Sequence, residues 1–250
     1  MTDFVVVIPA RYASTRLPGK VLRIIGGKPM LQHVYERGIE SAATEVVIAT
    51  DDARIEEAAK AFGAAVCMTG DQHRSGTERI AEVADLLQWD DGQVVVNLQG
   101  DEPSMPAALI NQCAALLDDE RADVATLASP LLNEDDFDNP NVVKVIRNGD
   151  NHAIYFSRSA IPHAREAENK PLAVASALHH HGIYAYRCGV LRRFVAAKPS
   201  DLEVCEQLEQ LRALSLGMTI AVGVPAVRPG TGVDTEKDLQ HAEREILVRK

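Results

Sequence analysis

Strand and helix signals alternate through the first half of this chain, and that rhythm restricts its fold more than any single motif. Phe4-Val-Val-Val-Ile8 is a continuous apolar run, the pattern of a strand buried on both faces. Runs of the same kind follow at 45–49, 64–68, 93–98 and 123–128. Between the first two, Leu31, Val34, Gly38 and Ala42 share one helical face, with Pro29 where a first helical residue would stand. Ile55, Ala58, Ala59 and Phe62 mark a second helix. A third, capped by Thr77, turns Ile80, Val83, Ala84 and Leu87 inward, and Pro106 opens a fourth that reaches Leu117. Strands and helices in this order build a largely parallel sheet covered on both faces, the three-layer α/β/α class.

The rhythm changes after the fifth strand. Val142 to Arg147 and His152 to Ser157 flank Asn148-Gly-Asp150, which reads as an antiparallel pair. Residues 158–177 are polar and irregular, the pattern of a mobile loop, and an extended pattern resumes from Ile183 to Tyr186. The spacing of Leu202, Cys205, Leu208, Leu211 and Leu214 predicts one helix, stopped by Gly217. A strand from Thr219 to Val224, a glycine-rich loop and a helix from Thr235 to about Val248 close the chain. There is no internal repeat or low-complexity linker, so residues 1–250 read as one unit with an inserted antiparallel lobe.

Charge and cysteine usage narrow the partners. A formal net charge of −10 argues against nucleic acid. A local arginine cluster in an acidic chain suits a small anionic substrate. No run of about 18 apolar residues offers a membrane span, and the chain opens on a strand rather than a secretory signal. Cys67, Cys113, Cys188 and Cys205 are far apart, with Cys113 and Cys205 in helical periodicity as small hydrophobes. A disulfide framework is not indicated, which favours the cytoplasm.

In open parallel sheets, ligands sit beyond the carboxyl ends of the strands. The candidate clusters fall at those ends. After the first strand, Arg11, Ser14, Arg16 and Lys20 form a cationic, hydroxyl-rich loop fit for a polyphosphate. It lacks the glycines of a dinucleotide fingerprint or P-loop, so the charge must come from side chains. The alternative is a solvated basic loop. After the third strand comes Ser75-Gly-Thr-Glu-Arg79, able to face a base edge or simply to start a helix. After the fourth, Gln99-Gly-Asp101-Glu102 presents a hard oxygen ligand suited to Mg²⁺. Asp234 joins it if the fold brings the two together; otherwise it caps the last helix. His179-His-His181 cannot turn three consecutive ligands to one side of an extended segment, so one histidine facing substrate is preferred to zinc. Glu209 and Gln210 read by default as a solvated helix face.

Seven blocks carry a resemblance. They are Ile8-Pro-Ala-Arg-Tyr-Ala-Ser-Thr-Arg-Leu-Pro-Gly-Lys20, Ser75-Gly-Thr-Glu-Arg79, Asn97-Leu-Gln-Gly-Asp-Glu-Pro103, Asn139-Pro-Asn-Val-Val-Lys144, His180-His-Gly-Ile-Tyr184, Leu208-Glu-Gln-Leu-Arg212 and Pro229-Gly-Thr-Gly-Val-Asp-Thr235. In this order and spacing, over residues 4 to 240, they resemble the 3-deoxy-manno-octulosonate cytidylyltransferases, or CMP-Kdo synthetases. Two places depart from the family pattern: His163 stands where an aromatic commonly follows Ile161-Pro162, and Leu214-Ser-Leu-Gly217 lacks aromatics.

The resemblance implies a nucleotide-diphospho-sugar transferase-like, Rossmann-like sheet. It implies transfer of CMP from CTP to 3-deoxy-D-manno-octulosonate (Kdo), in the cytoplasm, for lipopolysaccharide synthesis. It implies a homodimer formed through the inserted lobe, about residues 130–200. Lys20, Asp101 and Asp234 become the catalytic set, with Asp101 and Asp234 holding Mg²⁺. Arg11, Ser14, Lys20, Ser75, Arg79 and Gln99 become nucleotide-binding. Gln99, Arg165, His180, Tyr184, Glu209 and Gln210 become the sugar-acid pocket. The runner-up is the same transfer to 8-amino-Kdo or another acidic sugar, and a non-enzymatic nucleotide sensor is the rival outside catalysis.

Overall fold

Val5, Val6, Val7 and Ile8 are all buried, and their alternating side chains serve two different cores. That is what a strand must do when helices cover both faces of its sheet. The computed structural model describes residues 3–14 and 17–248. In it, β1 (Phe4–Pro9) precedes a short antiparallel pair, β2 (Ile24–Ile25) and β3 (Lys28–Pro29). Then follow α1 (Met30–Ile39), β4 (Glu45–Thr50), α2 (Ala53–Ala61), β5 (Ala65–Met68), α3 (Gly76–Leu86), β6 (Val94–Asn97), α4 (Ala107–Ala115) and β7 (Val124–Pro130). The rest comprises α5 (Glu134–Asp138), β8 (Lys144–Arg147), β9 (Ala153–Ser157), α6 (Lys170–Ser176), β10 (Leu178–Arg187), α7 (Cys188–Ala196), α8 (Asp201–Glu206), α9 (Gln210–Ser215), β11 (Ile220–Gly223) and α10 (Glu236–Val248).

The main sheet runs β11-β7-β10-β6-β1-β4-β5. Its pairs β6–β1, β1–β4, β4–β5 and β11–β7 are parallel, whereas β10 is antiparallel to both its neighbours. The expected mostly parallel, three-layer α/β/α architecture is therefore present, with one reversed strand in its middle. Phe4, Val6 and Ile8 pack with Met30, Leu31, Ile55, Leu109 and Leu239 on one face. Val5 and Val7 pack with Ile80, Val83, Leu191, Phe194 and Leu211 on the other. The β8–β9 hairpin, expected from Asn148-Gly-Asp150, pairs with the start of β10 and so extends the same sheet. No helix among the described residues is long and apolar enough to cross a membrane.

Local details correct several expectations. Ser75, not Thr77, caps α3, its hydroxyl accepting from the Glu78 N–H, while Leu87 at the other end is 40% exposed. Pro29 is the residue before α1 rather than its first. Residues 158–177 include α6. The helix expected over 202–214 is two: a Ser200–Glu203 capping box starts α8, and Gln207 in the left-handed conformation turns the chain into α9. Cys205 is consequently exposed, whereas Cys113 is buried as expected.

Candidate active site

The carboxyl ends of β1, β5 and β6 open onto a cleft of about 680 Å³. Arg11, Ser14, Lys20, Ser75, Arg79, Gln99, Asp101 and Asp234 all line it. Its centre is a cation between two carboxylates: Lys20 Nζ donates to Asp101 Oδ2 at 2.6 Å and to Asp234 Oδ1 at 3.0 Å. Burial alone would depress the Lys20 pKa, but the two carboxylates outweigh it and the net shift is upward, so the ammonium stays charged.

Asp234 arrives from far along the chain because its loop can approach closely. A Cβ on Gly230 would lie 2.4 Å from the Ser104 carbonyl oxygen, so only glycine fits there. The Val233 N–H then donates to the Asp101 carbonyl at 2.9 Å, fixing the two loops side by side. Capping of α10 falls instead to Thr235 and Asp238, whose side chains bond each other's backbone N–H groups. Asp234, one residue before that pair, turns its carboxylate to Lys20.

The two arginines of the nucleotide set are placed differently. Arg11 is exposed at the cleft and makes no ion pair among the described residues. Arg79 is buried, pairs with Asp51 at 3.0 Å and also bonds the Thr69 hydroxyl, so its guanidinium holds the cleft wall together. Arg16 lies outside the described residues.

The sugar set forms a second group beside the cleft. His180 Nε2 and the Tyr184 hydroxyl are 2.8 Å apart, and Thr126 Oγ1 lies 3.2 Å from the same nitrogen. Burial, then the neighbouring His181 and His179, press the His180 pKa down to about 3, so the ring is neutral. Its neighbours face away, His181 bonding Ser129 at 2.7 Å. Gln99 bonds Asn97 on β6, and Asn97 is the cross-strand partner of Tyr184. Gln210 is 8% exposed, yet its Nε2 has no hydrogen-bond partner among the described residues. Such a buried donor costs about 1–3 kcal/mol unless something meets it. Arg165 does not join: its guanidinium is 92% exposed and pairs with adjacent Glu166 at 3.6 Å.

Three features escape sequence reasoning. Burial, then Asp101 and Asp234, push Glu102 up to about 8; its adjacency to Asp101 in the Gln99-Gly-Asp-Glu block was the available signal. Lys144 is fully buried and donates to the carbonyls of Asn139, Val142 and Arg158 at 2.7–2.8 Å. A lysine opening an apolar strand hinted at it. The third is the hydroxyl of Thr77, which donates to Glu209 Oε2 at 2.7 Å.

Residues 5–220 match the family model described as Cytidylyltransferase. The 3-deoxy-manno-octulosonate cytidylyltransferase of Idiomarina loihiensis is 51% identical over 247 residues, covering 97% of this chain and 98% of the relative. This chain belongs to the 3-deoxy-manno-octulosonate cytidylyltransferase family. The relative of that name from Serratia proteamaculans is 49% identical over 98% of this chain and 99% of its own length. Among solved structures, CMP:2-keto-3-deoxy-manno-octonic acid synthetase complexed with CTP superposes with a TM-score of 0.91 at 42% identity, over all of both chains. A cytidylyltransferase from Leptospira borgpetersenii gives a TM-score of 0.64 at 18% identity over 99% of this chain and 88% of its own, a likeness of fold alone. Fold and family are therefore the ones that the opening motifs indicate.

Proposed function

We infer that this chain transfers CMP from CTP to Kdo, giving CMP-Kdo and pyrophosphate. The observation that carries the chemistry is the Lys20 ammonium held between Asp101 and Asp234 inside the strand-end cleft. The names of the half-identical relatives and the CTP in the solved relative support the substrates.

The step is an in-line displacement at the α-phosphorus of CTP by the anomeric C2 hydroxyl of Kdo. The C2 oxygen forms the new bond and gives its proton to solvent water, the bond from the α-phosphorus to the oxygen bridging to the β-phosphate breaks, and pyrophosphate leaves with that electron pair. Arg11 and Lys20 face the phosphates and offset the charge gathering on the leaving group. Lys20 exchanges carboxylate partners for phosphate oxygens, which leaves Asp101 and Asp234 as hard oxygen donors. His180, with its neutral ring, orients the sugar acid together with Tyr184, Glu209 and Gln210, and the unmet Gln210 amide supplies a donor for one of its oxygens. Arg165, exposed and loosely paired, is free to swing toward the sugar carboxylate.

Mg²⁺ is the cofactor of this reading, and the residues fit it. Two carboxylates already converge on a cation, and Mg²⁺ commonly takes one or two carboxylates together with phosphate oxygens and water. No group of three or more His, Cys, Asp or Glu among the described residues could hold a metal alone, which suits an ion shared with substrate. When bound, the ion supplies Lewis-acid charge neutralisation and lowers the pKa of the attacking hydroxyl.

The reading includes a cytoplasmic homodimer whose product serves lipopolysaccharide synthesis. Free cysteines support a reducing compartment. Exposed Leu132, Ile154, Leu172, Leu202 and Val204, all in or next to the inserted segment, support a contact there. Substrate choice is tested by offering the purified protein CTP with Kdo, 8-amino-Kdo or N-acetylneuraminate and weighing the CMP-sugar by mass spectrometry. The highest kcat/KM belongs to Kdo; preference for another acid would transfer the activity to that sugar.

A further inference from the structure

We propose that Thr77 is a positioning residue whose buried hydroxyl joins the nucleotide wall of the cleft to the sugar-acid group. The inference rests on the function read above and adds a specificity-determining residue to it.

Thr77 follows Ser75 and Gly76, both of which line the cleft, but Thr77 itself is 3% exposed and is not part of that lining. Ser75 already caps α3, so the Thr77 hydroxyl is not spent on the helix end. It donates instead to Glu209 Oε2 at 2.7 Å, across 132 residues of sequence. The Tyr186 ring packs in the same core as α3 and α9. Tyr186 stacks on Tyr184 with ring centroids 5.9 Å apart and planes at 24°, and Tyr184 bonds His180. One hydroxyl therefore fixes the carboxylate at the start of α9, in the same core as the aromatic ladder of β10.

The Glu209 carboxylate needs this partner. Glu209 sits where the left-handed Gln207 turns the chain from α8 into α9, and its side chain makes no cap bond to its own helix. Without the Thr77 hydroxyl, a half-buried carboxylate loses a charge-assisted hydrogen bond and its fixed direction. Because Thr77 does not line the cleft, its loss leaves the phosphate contacts of Arg11 and Lys20 in place. The expected signature is a split between the two substrates: the KM for Kdo rises about tenfold or more, the scale of one lost hydrogen bond to a charged group, while the KM for CTP stays within about twofold.

The experiment measures both KM values by pyrophosphate release for wild type, T77V, T77A and T77S. T77S keeps the hydroxyl and retains a near-wild-type KM for Kdo. T77A removes the hydroxyl without placing a new methyl against the carboxylate and gives the same split as T77V. Equal changes in both KM values, no change in T77V and T77A, or failure of T77S to restore the Kdo KM would each overturn the proposal. Failure of both T77V and T77A to fold, scored by thermal melting, would assign Thr77 to core stability instead and also overturn it. The wild-type reaction with Kdo is measured first and tests the function by itself. No pyrophosphate there would refute that function, and the positioning role with it, whereas an active wild type with unsplit variants refutes the positioning role alone.

Discussion

At the scale of single residues, the site depends on three charges that share one small volume. Lys20 is shielded, with 12% side-chain exposure, and is flanked by two carboxylates of 33% and 48% exposure. D101N keeps the shape but removes a charge, so it should leave the melting temperature near wild type and abolish turnover in a pyrophosphate assay; near-wild-type rates at saturating Mg²⁺ would contradict the metal role. Lys20 and Asp101 were legible in the sequence because both follow apolar strands, where ligands collect in parallel sheets. The placement of Asp234 was not, because a capping aspartate and one turned into the cleft look alike in Val-Asp-Thr-Glu until Gly230 is seen against Ser104. Arg79 shows the opposite limit: its block was legible, but its commitment to Asp51 is a tertiary fact.

At the scale of elements, β10 and the hairpin beside it decide how the second half is built. Lys144 ties the start of β8 to three carbonyls, those of Asn139, Val142 and Arg158. K144M would remove the ammonium from all three and leave Asn139 only the Val142 N–H, at about 3 kcal/mol, which for a chain of this size lowers Tm by roughly 6–12 °C in a thermal melt. β10 also sets an acid limit. Burial lowers the pKa of His180 to about 3 and of His181 to about 4, below the ordinary 6.5. The unfolded chain then binds more protons than the folded one between those values. Their contribution to stability is therefore full above about pH 6.5 and is lost as pH falls toward 4 and 3. Chemical denaturation across that range should show stability falling on acidification, with a shallower fall in H180Q. Periodicity could not reveal that β10 inserts antiparallel between β6 and β7, since register and order depend on long-range pairing. Nor could it find the break in the leucine pattern at Gln207, between a helix started by a capping box and one tied back to it by the buried Glu203–Arg212 pair.

At the scale of the whole molecule, two cores on either side of one sheet hold the strand ends fixed, and the cleft forms where those ends and the 229–234 loop meet. The alternation of strands and helices was enough to anticipate that arrangement, because each face of each strand had to be covered. Exposed apolar side chains at Ile154, Leu202 and Val204 remain beyond it. Sedimentation at micromolar concentration should give the mass of two chains, and I154E with V204E should shift it toward 27.1 kDa if that surface is the contact. The central claim is the transfer itself. Pyrophosphate release by the purified protein, with CTP and Kdo each omitted in turn, tests it most directly. Release that requires both substrates and matches CMP-Kdo formed mole for mole is the predicted result; release that ignores Kdo, or binding of CTP with no release at all, would contradict it.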